Sequence, residues 1–388
     1  MTAAIVGLGV TQQGRVPGVT SLELRLEGLQ LAVEDAGLKM TDIEGYIYQP
    51  GIVEMDVFGL GGYVPKLLGT RPRLVWQTQS GGVSAIQALT TAVGLVERGE
   101  CDYVAVGYGD TALSANTLVG DAGMFAAHRG DTPGVYGMYS PGADHALAAR
   151  RHMAEFGTTK EQLGAVSLNA RAYANMRPDA YMHGRTMTMD DYLGARPIAD
   201  PLGKFDYCLV ADGGCAFIVT TEERAKDCPG PTVLIEGLGF GHSLQDSYEQ
   251  DAYLTSGITH AAKSAFARAK MSPSDIDVAE IYDCFTITVL MALEGLGFCG
   301  RGESGPFVAD GNLWLDGVIP TNTAGGELSW SYMQGFTPVV EAIRQVRGDA
   351  GPTQVAGAET CVVTGHGGTT TDQGYMEYGD ACMILRKG

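Results

Sequence analysis

The chain alternates short unbroken apolar runs with segments in which apolar residues recur every three or four positions. "AAIVGLGV" (3–10) predicts a buried strand. "SLELRLEGLQLAVEDAGL" (21–38) predicts a helix: Leu24, Leu31 and Ala32 share one face, a serine stands at its start and Gly37 at its stop. "DIEGYIYQ" (42–49) predicts a second strand. The same order returns near the middle, where "LIEGLGFG" (234–241) reads as a strand, "LTSGITHAAKSAFARAKM" (254–271) as a helix and "DIDVAEIYDCF" (275–285) as a strand.

The two regions share more than their order. "AVEDAGLKMTDIEGYIY" and "AFARAKMSPSDIDVAEIY" each give an alanine-bearing helix end, a methionine, a turn, Asp-Ile-acid and an apolar strand. Downstream, "TQSGGVSAIQALTTAVGLVERGECDYVAVGYGD" and "NTAGGELSWSYMQGFTPVVEAIRQVRGDAGPTQVAGAETCVVTGHGG" each open a helix on Gly-Gly, carry Arg-Gly near its end and run into a strand that finishes in glycines. A period of more than two hundred residues is a duplicated domain rather than a solenoid repeat. The expected organisation is one half over 1–110 and 194–225, a polar, partly helical insert over 111–193, and a second half over 226–388. Long excursions from an α/β core usually carry ligand contacts, so the insert is read as a lid or substrate-binding subdomain.

Composition narrows the function. The 388 residues carry a formal charge of −19, which excludes a nucleic-acid binder because phosphate neutralisation needs a basic face. No apolar run approaches the ~20 residues needed to span a bilayer, and the first ten lack a signal-peptide pattern, so a cytoplasmic protein is expected. The eight cysteines form no CxxC pair and no tight Cys/His cluster, so neither a metal site nor a disulfide framework is predicted. The 55 glycines are spread between apolar runs, as strand-helix turns require.

The paired halves, the Gly-Gly helix openings, "VADGGCAFIV", "YDCF" and "CVVTGHGG" resemble the thiolase superfamily, in particular its sterol-carrier-protein-type branch of thiolase-like lipid-transfer proteins. The resemblance covers essentially the whole chain, including "FGTTKEQLGAVSLNARAYANMRPDAY" of the insert. It implies a layered α/β/α/β/α thiolase fold. The catalytic positions depart from the family's pattern: Gln79 stands where the nucleophilic cysteine belongs, Tyr282 replaces a histidine in "YDCF", and Tyr332 replaces the histidine of a Gly-His-Pro motif. Cys361 matches the fourth residue.

A carboxamide forms no acyl-thioester, so Claisen chemistry loses its nucleophile. Retro-aldol cleavage needs none: it requires a proton acceptor at a β-hydroxyl, a proton donor for the enolate, and a polarising pocket for the thioester oxygen. Two tyrosines on a thiolase frame without the cysteine resemble the actinobacterial steroid side-chain-cleaving aldolases. That resemblance implies a 17-hydroxy steroid acyl-CoA substrate cut to a 17-ketosteroid and propionyl-CoA. It also implies no cofactor beyond the substrate's own coenzyme A, a homodimer, and a small OB-fold and zinc-ribbon partner completing a heterotetramer.

Tyr332 is assigned as base and Tyr282 as donor, an assignment open to reversal. Asp283, His366 and Cys361 complete the catalytic candidates: Asp283 either orients a tyrosine or forms a turn, His366 sits in a glycine-rich loop, and Cys361 is either a proton shuttle or an inert buried thiol. Gln79, Gly325, Gly326, Gly367 and Gly368 are the substrate-binding candidates, the glycines because their backbone N–H groups can approach a thioester oxygen. The alternatives are an acyltransferase using Cys361 or Cys284, and a non-catalytic acyl-CoA or sterol binder; the latter has no need of two hydroxyls at the old catalytic positions.

Overall fold

The apolar run 3–10 forms β1 (Ala3–Val10), followed by α1 (Ser21–Asp35), β2 (Gly45–Pro50), β3 (Leu74–Gln77), α2 (Ser84–Glu97) and β4 (Val104–Thr111). These come from a computed structural model that describes residues 2–54, 69–115, 141–244, 257–370 and 376–388. The insert supplies α3 (Pro141–Phe156), α4 (Lys160–Met176) and α5 (Met189–Leu193), and the short strands β5 (Pro197–Ala199) and β6 (Leu202–Gly203) follow it. Its stretch 116–140 lies outside the described residues. Then come β7 (Asp212–Thr221), β8 (Val233–Leu244), α6 (Ile258–Ala269), β9 (Val278–Glu280) and α7 (Thr286–Leu296). The chain continues through α8 (Gly326–Ser329), α9 (Phe336–Arg347), β10 (Thr360–Thr370) and β11 (Met376–Lys387).

Nine strands form one sheet in the order β3-β2-β4-β7-β1-β8-β11-β10-β9. Read outward from the antiparallel β1/β8 junction, β1, β7, β4, β2 on one side answer β8, β11, β10, β9 on the other. Each side is antiparallel near the junction and turns parallel farther out, β4 with β2 on one side, where β3 adds a further parallel strand, and β10 with β9 on the other. Helix α1 packs on β1, β4 and β7, and α6 on β8 and β11. Helices α2 and α9 touch strands of both sides and so form the central layer of an α/β/α/β/α arrangement. Lying between helices on both faces, β7 is buried from end to end.

The glycines of "GLGV" and "GLGFG" have a shared cause. A Cβ on Gly9 would overlap the Gly28 carbonyl of α1, and one on Gly239 would overlap the Ala261 carbonyl of α6. Only glycine lets a helix lie this close to its strand.

Two local expectations are corrected. Thr20 rather than Ser21 caps α1: its hydroxyl accepts from Glu23 N–H at 3.2 Å while the Glu23 carboxylate accepts from Thr20 N–H at 2.8 Å, a reciprocal capping box. The strand read over 275–285 stops at Glu280. Beyond it side chains replace the ladder: the Asn322 side-chain oxygen accepts from Ile281 N–H at 2.7 Å and the Thr364 hydroxyl accepts from Tyr282 N–H at 3.0 Å. Thus 281–285 is a pinned loop at the end of a strand, free to turn its side chains where a ladder would forbid.

Candidate active site

The pinned loop points Tyr282 at the turn before α2. A Cβ on Gly82 would overlap both the Tyr282 ring and the His366 carbonyl oxygen, so Gly82 is the floor on which the phenol lies. Tyr332 follows α8, where Ser331 donates to the Gln13 side chain at 2.6 Å and the Thr337 hydroxyl accepts from Met333 N–H at 2.9 Å. The two tyrosines, fifty residues apart in sequence, are neighbours in the fold, where Tyr332 opposes ionisation of Tyr282. Burial raises both phenols well above their ordinary range. We expect Gly82→Ala to push the ring aside and lower kcat about 10²-fold, as misplacement of a reacting group by about 1 Å does. Steady-state kinetics on the variant are the check, and a kcat within about threefold of the native value would contradict this packing argument.

Asp283 is directed away from the tyrosines into the N-terminus of α8, accepting from Glu327 N–H at 2.7 Å and Leu328 N–H at 3.3 Å. Burial moves it up to about 7, opposed by those N–H donors and by the Asn322 side chain. Gly325 and Gly326 hold positive φ of 108° and 58° and form the turn that opens α8 over Asp283. The same turn carries a residue that sequence reasoning passed over. Glu327 is fully buried, and neither carboxyl oxygen has a hydrogen-bond partner. Burial, then the neighbouring Asp283, pushes it well above the carboxylate range. The signal was present, a lone acid just after Gly-Gly, but nothing in the sequence gave its direction.

His366 stands on the same face of β10 as Thr364. Its Nδ1 lies 2.8 Å from an Asp380 carboxylate oxygen and its Nε2 lies 3.2 Å from Nε2 of His145, a residue of α3 221 positions away that the sequence did not flag. His145 stacks on Phe285 with ring centroids 4.1 Å apart and donates through Nδ1 to the Pro141 carbonyl at 2.7 Å. Burial, then the neighbouring His366, lowers His145 to about 3.

Cys361 is not brought to this cluster. It lies on the opposite face of β10, fully buried, with Glu280, Glu341 and Asp277 as its charged neighbours, and burial raises its thiol well above the ordinary value. Burial raises Cys284 and Cys208 likewise. Gln79 is exposed, one residue before the Ser80–Gly82 stretch. Gly367 packs against Ser80 and Gly82, and Gly368 pairs with Tyr378 in the β10/β11 ladder. A cavity of about 410 Å³ opens beside Ser80, Val83, His242, Gly367 and Asp380. Among the described residues no group of His, Cys, Asp or Glu is arranged to hold a metal ion, and no helix is long and apolar enough to cross a membrane.

Comparison with known proteins follows the same lines. Residues 239–380 match the family model "Thiolase C-terminal domain-like". A Thermomonospora curvata protein named steroid side-chain-cleaving aldolase is 34% identical over 89% of this chain and 90% of its own. The Mycobacterium tuberculosis 17-hydroxy-3-oxo-4-pregnene-20-carboxyl-CoA lyase is 33% identical over 95% of this chain and 97% of its own. The solved structure named Ltp2-ChsH2(DUF35) aldolase superposes with a TM-score of 0.86 at 30% identity, covering 100% of this chain and 98% of that one.

Proposed function

Because the chain belongs to the thiolase superfamily, alongside the steroid side-chain-cleaving aldolases, we propose that it is a carbon-carbon lyase that cleaves a β-hydroxyacyl-CoA thioester by retro-aldol chemistry. The substrate class is a 17-hydroxy steroid carrying its CoA thioester on the side chain; the products are a 17-ketosteroid and propionyl-CoA. The observation that carries this reading is the Tyr282–Tyr332 pair, two neighbouring phenols at the old histidine positions with no reactive thiol beside them.

Tyr332 accepts the proton of the β-hydroxyl. The carbon-carbon bond breaks, its electron pair passes into the thioester as an enolate, and Tyr282 delivers a proton to the enolate carbon. One proton enters the pair and one leaves it, so the cycle is balanced. Backbone N–H groups of the Gly325–Gly326 and Gly367–Gly368 segments are assigned to the thioester oxygen, where fixed dipoles stabilise developing charge. The His366–Asp380 pair sits one same-face step along β10 from the residue that holds Tyr282, and we assign it to the same pocket. Acyl transfer through Cys361 or Cys284 requires a thiolate, which burial disfavours at both.

The partner named in the solved relative supports a heteromeric assembly: a homodimer of this chain in the cytoplasm, joined by a DUF35-type protein with an OB-fold and a zinc ribbon, completing the acyl-CoA entrance. The net charge of −19 leaves little base on this chain for CoA phosphates, which is a reason for such help. Incubating the protein, with and without that partner, with a panel of β-hydroxyacyl-CoA thioesters should release a free carbonyl compound and a shorter acyl-CoA, read by mass spectrometry. The partner should raise rate and solubility together. Absence of cleavage across the panel in the complex would refute the reading, and an unchanged rate without the partner would remove the partner from it.

A further inference from the structure

The glycines beside the site are of two kinds. A Cβ on Gly365 of β10 would overlap the Gly82 carbonyl, and one on Gly367 would overlap the Gly82 nitrogen and the Ser80 carbonyl, so the turn before α2 lies directly on that strand. Gly379 of β11 is different. It pairs with Gly367 on one side and with His242 of β8 on the other, in a ladder that has no bulge at this point. Its φ lies outside the left-handed region. Among the described residues, a Cβ there would meet only the Gly367 carbonyl oxygen and a Val83 methyl, both at the ordinary contact distance of 3.8 Å. Neither backbone conformation nor packing asks for glycine at 379, and a glycine inside a strand weakens it unless something must approach the backbone closely.

A side chain at 379 would fill the cavity of about 410 Å³, which Gly379 lines together with Gly367, Val83 and Phe240. The paired glycines give it a flat floor, and Val83 and Phe240 give it apolar walls; Phe240 is 43% exposed despite its size. No lysine or arginine is among its described lining residues, so it does not suit the phosphates of coenzyme A. Its size falls within the range of about 300–1,000 Å³ in which small organic molecules bind. It also adjoins the reacting groups: Gly367 packs against Ser80 and Gly82, and the Tyr282 ring lies on Gly82.

Building on the retro-aldol reading, we infer that this cavity seats the fused-ring skeleton of the steroid against the Gly367–Gly379 floor, and that Gly379 selects for it by having no side chain. A rigid ring system offers a broad, flat apolar face, and the area it buries is greatest where no Cβ stands between it and the strands. Gly379 is thus a specificity-determining residue, while Gly365 and Gly367 serve the packing of the turn before α2.

Gly379→Val and Gly379→Leu fill the cavity from its floor, and Gly379→Ala fills it least. Calorimetric titration of the protein assembled with its partner reads the affinity for a 3,17-diketo-4-ene steroid, the ketone product of the proposed cleavage. That affinity should fall about 10–100-fold in the valine and leucine variants and less in the alanine variant, with propionyl-CoA affinity changed less than about threefold. The ratio of kcat/KM for the steroid thioester to that for a short acyclic β-hydroxyacyl-CoA should fall in the same order. Strands favour β-branched residues over glycine, so Gly379→Val should melt no lower than the native protein. The inference is overturned if the native complex does not bind the steroid, or if the valine variant binds it within about threefold of native. Equal losses of steroid and propionyl-CoA affinity, or a lowered melting temperature in all three variants, overturn it as well. Were the native complex inactive on every β-hydroxyacyl-CoA while steroid binding was present and lost in Gly379→Val, the functional reading would fall and the steroid seat would stand.

Discussion

Tyr332→Phe is expected to lower kcat by about 10²–10⁴, or about 2.7–5.4 kcal/mol in the barrier, with the fold intact. The variant removes one oxygen from a side chain whose ring remains packed, and losing one hydrogen bond costs only about 0.5–1.5 kcal/mol of stability. The large ratio of catalytic to structural effect is what marks a proton-transfer group. Tyr282→Phe should behave similarly. The double variant should be little worse than either single one, because two neighbouring phenols that serve one proton transfer act as a unit and their losses do not add. Single-turnover measurement of carbonyl product separates chemistry from release, and a phenylalanine variant that keeps kcat within about threefold of native would remove that tyrosine from the mechanism.

The second large effect is on stability. Arg177, at the end of α4 in the insert, reaches into the second half of the chain, where it donates to both Glu341 oxygens at 3.0 and 3.1 Å, to the Ala350 carbonyl at 2.9 Å and to Thr353 at 3.2 Å. Glu341 and Glu280 share the Thr323 hydroxyl at 3.0 and 2.9 Å, so this cluster fixes the turn that carries Gly325, Gly326 and Glu327. Arg177→Met leaves Glu341 buried with Arg344 at 3.8 Å as its nearest cation, and breaking a buried pair in this way costs about 3–5 kcal/mol.

The loss should depend on pH. Burial already raises Glu341, and Arg177 is the larger of the two cations that hold it down, so the variant raises it further. The folded variant then retains a proton that the unfolded chain releases above about 4.5, and the charge-dependent part of the penalty is present at neutral pH and fades as pH falls towards that value. Denaturant titrations at neutral and acidic pH measure it. A penalty unchanged between them would show that lost packing, rather than an uncompensated charge, is what the variant exposes.

Much of this molecule was legible in its sequence because it depends on neighbours a few positions away. Continuous apolar runs specified β1, β2 and β8, three-to-four spacing specified α1 and α6, and glycines marked the turns between strands and helices. Two matching stretches gave the internal repeat, and comparison of motifs singled out Gln79, Tyr282 and Tyr332. What the sequence left undecided are facts of direction. Cys361 and His366 lie in one strand five residues apart, and the alternation of a strand sends them to opposite faces, one towards the central helices and the other towards α3 and Phe285. Glu327 reads as one acid among many until folding buries it without a hydrogen bond to either carboxyl oxygen. His145 meets His366 only because the insert folds back over the second half. Local spacing sets which elements form, whereas desolvation and pairing between residues a hundred or more positions apart set which side chains hold protons, and that was decided only by the tertiary structure.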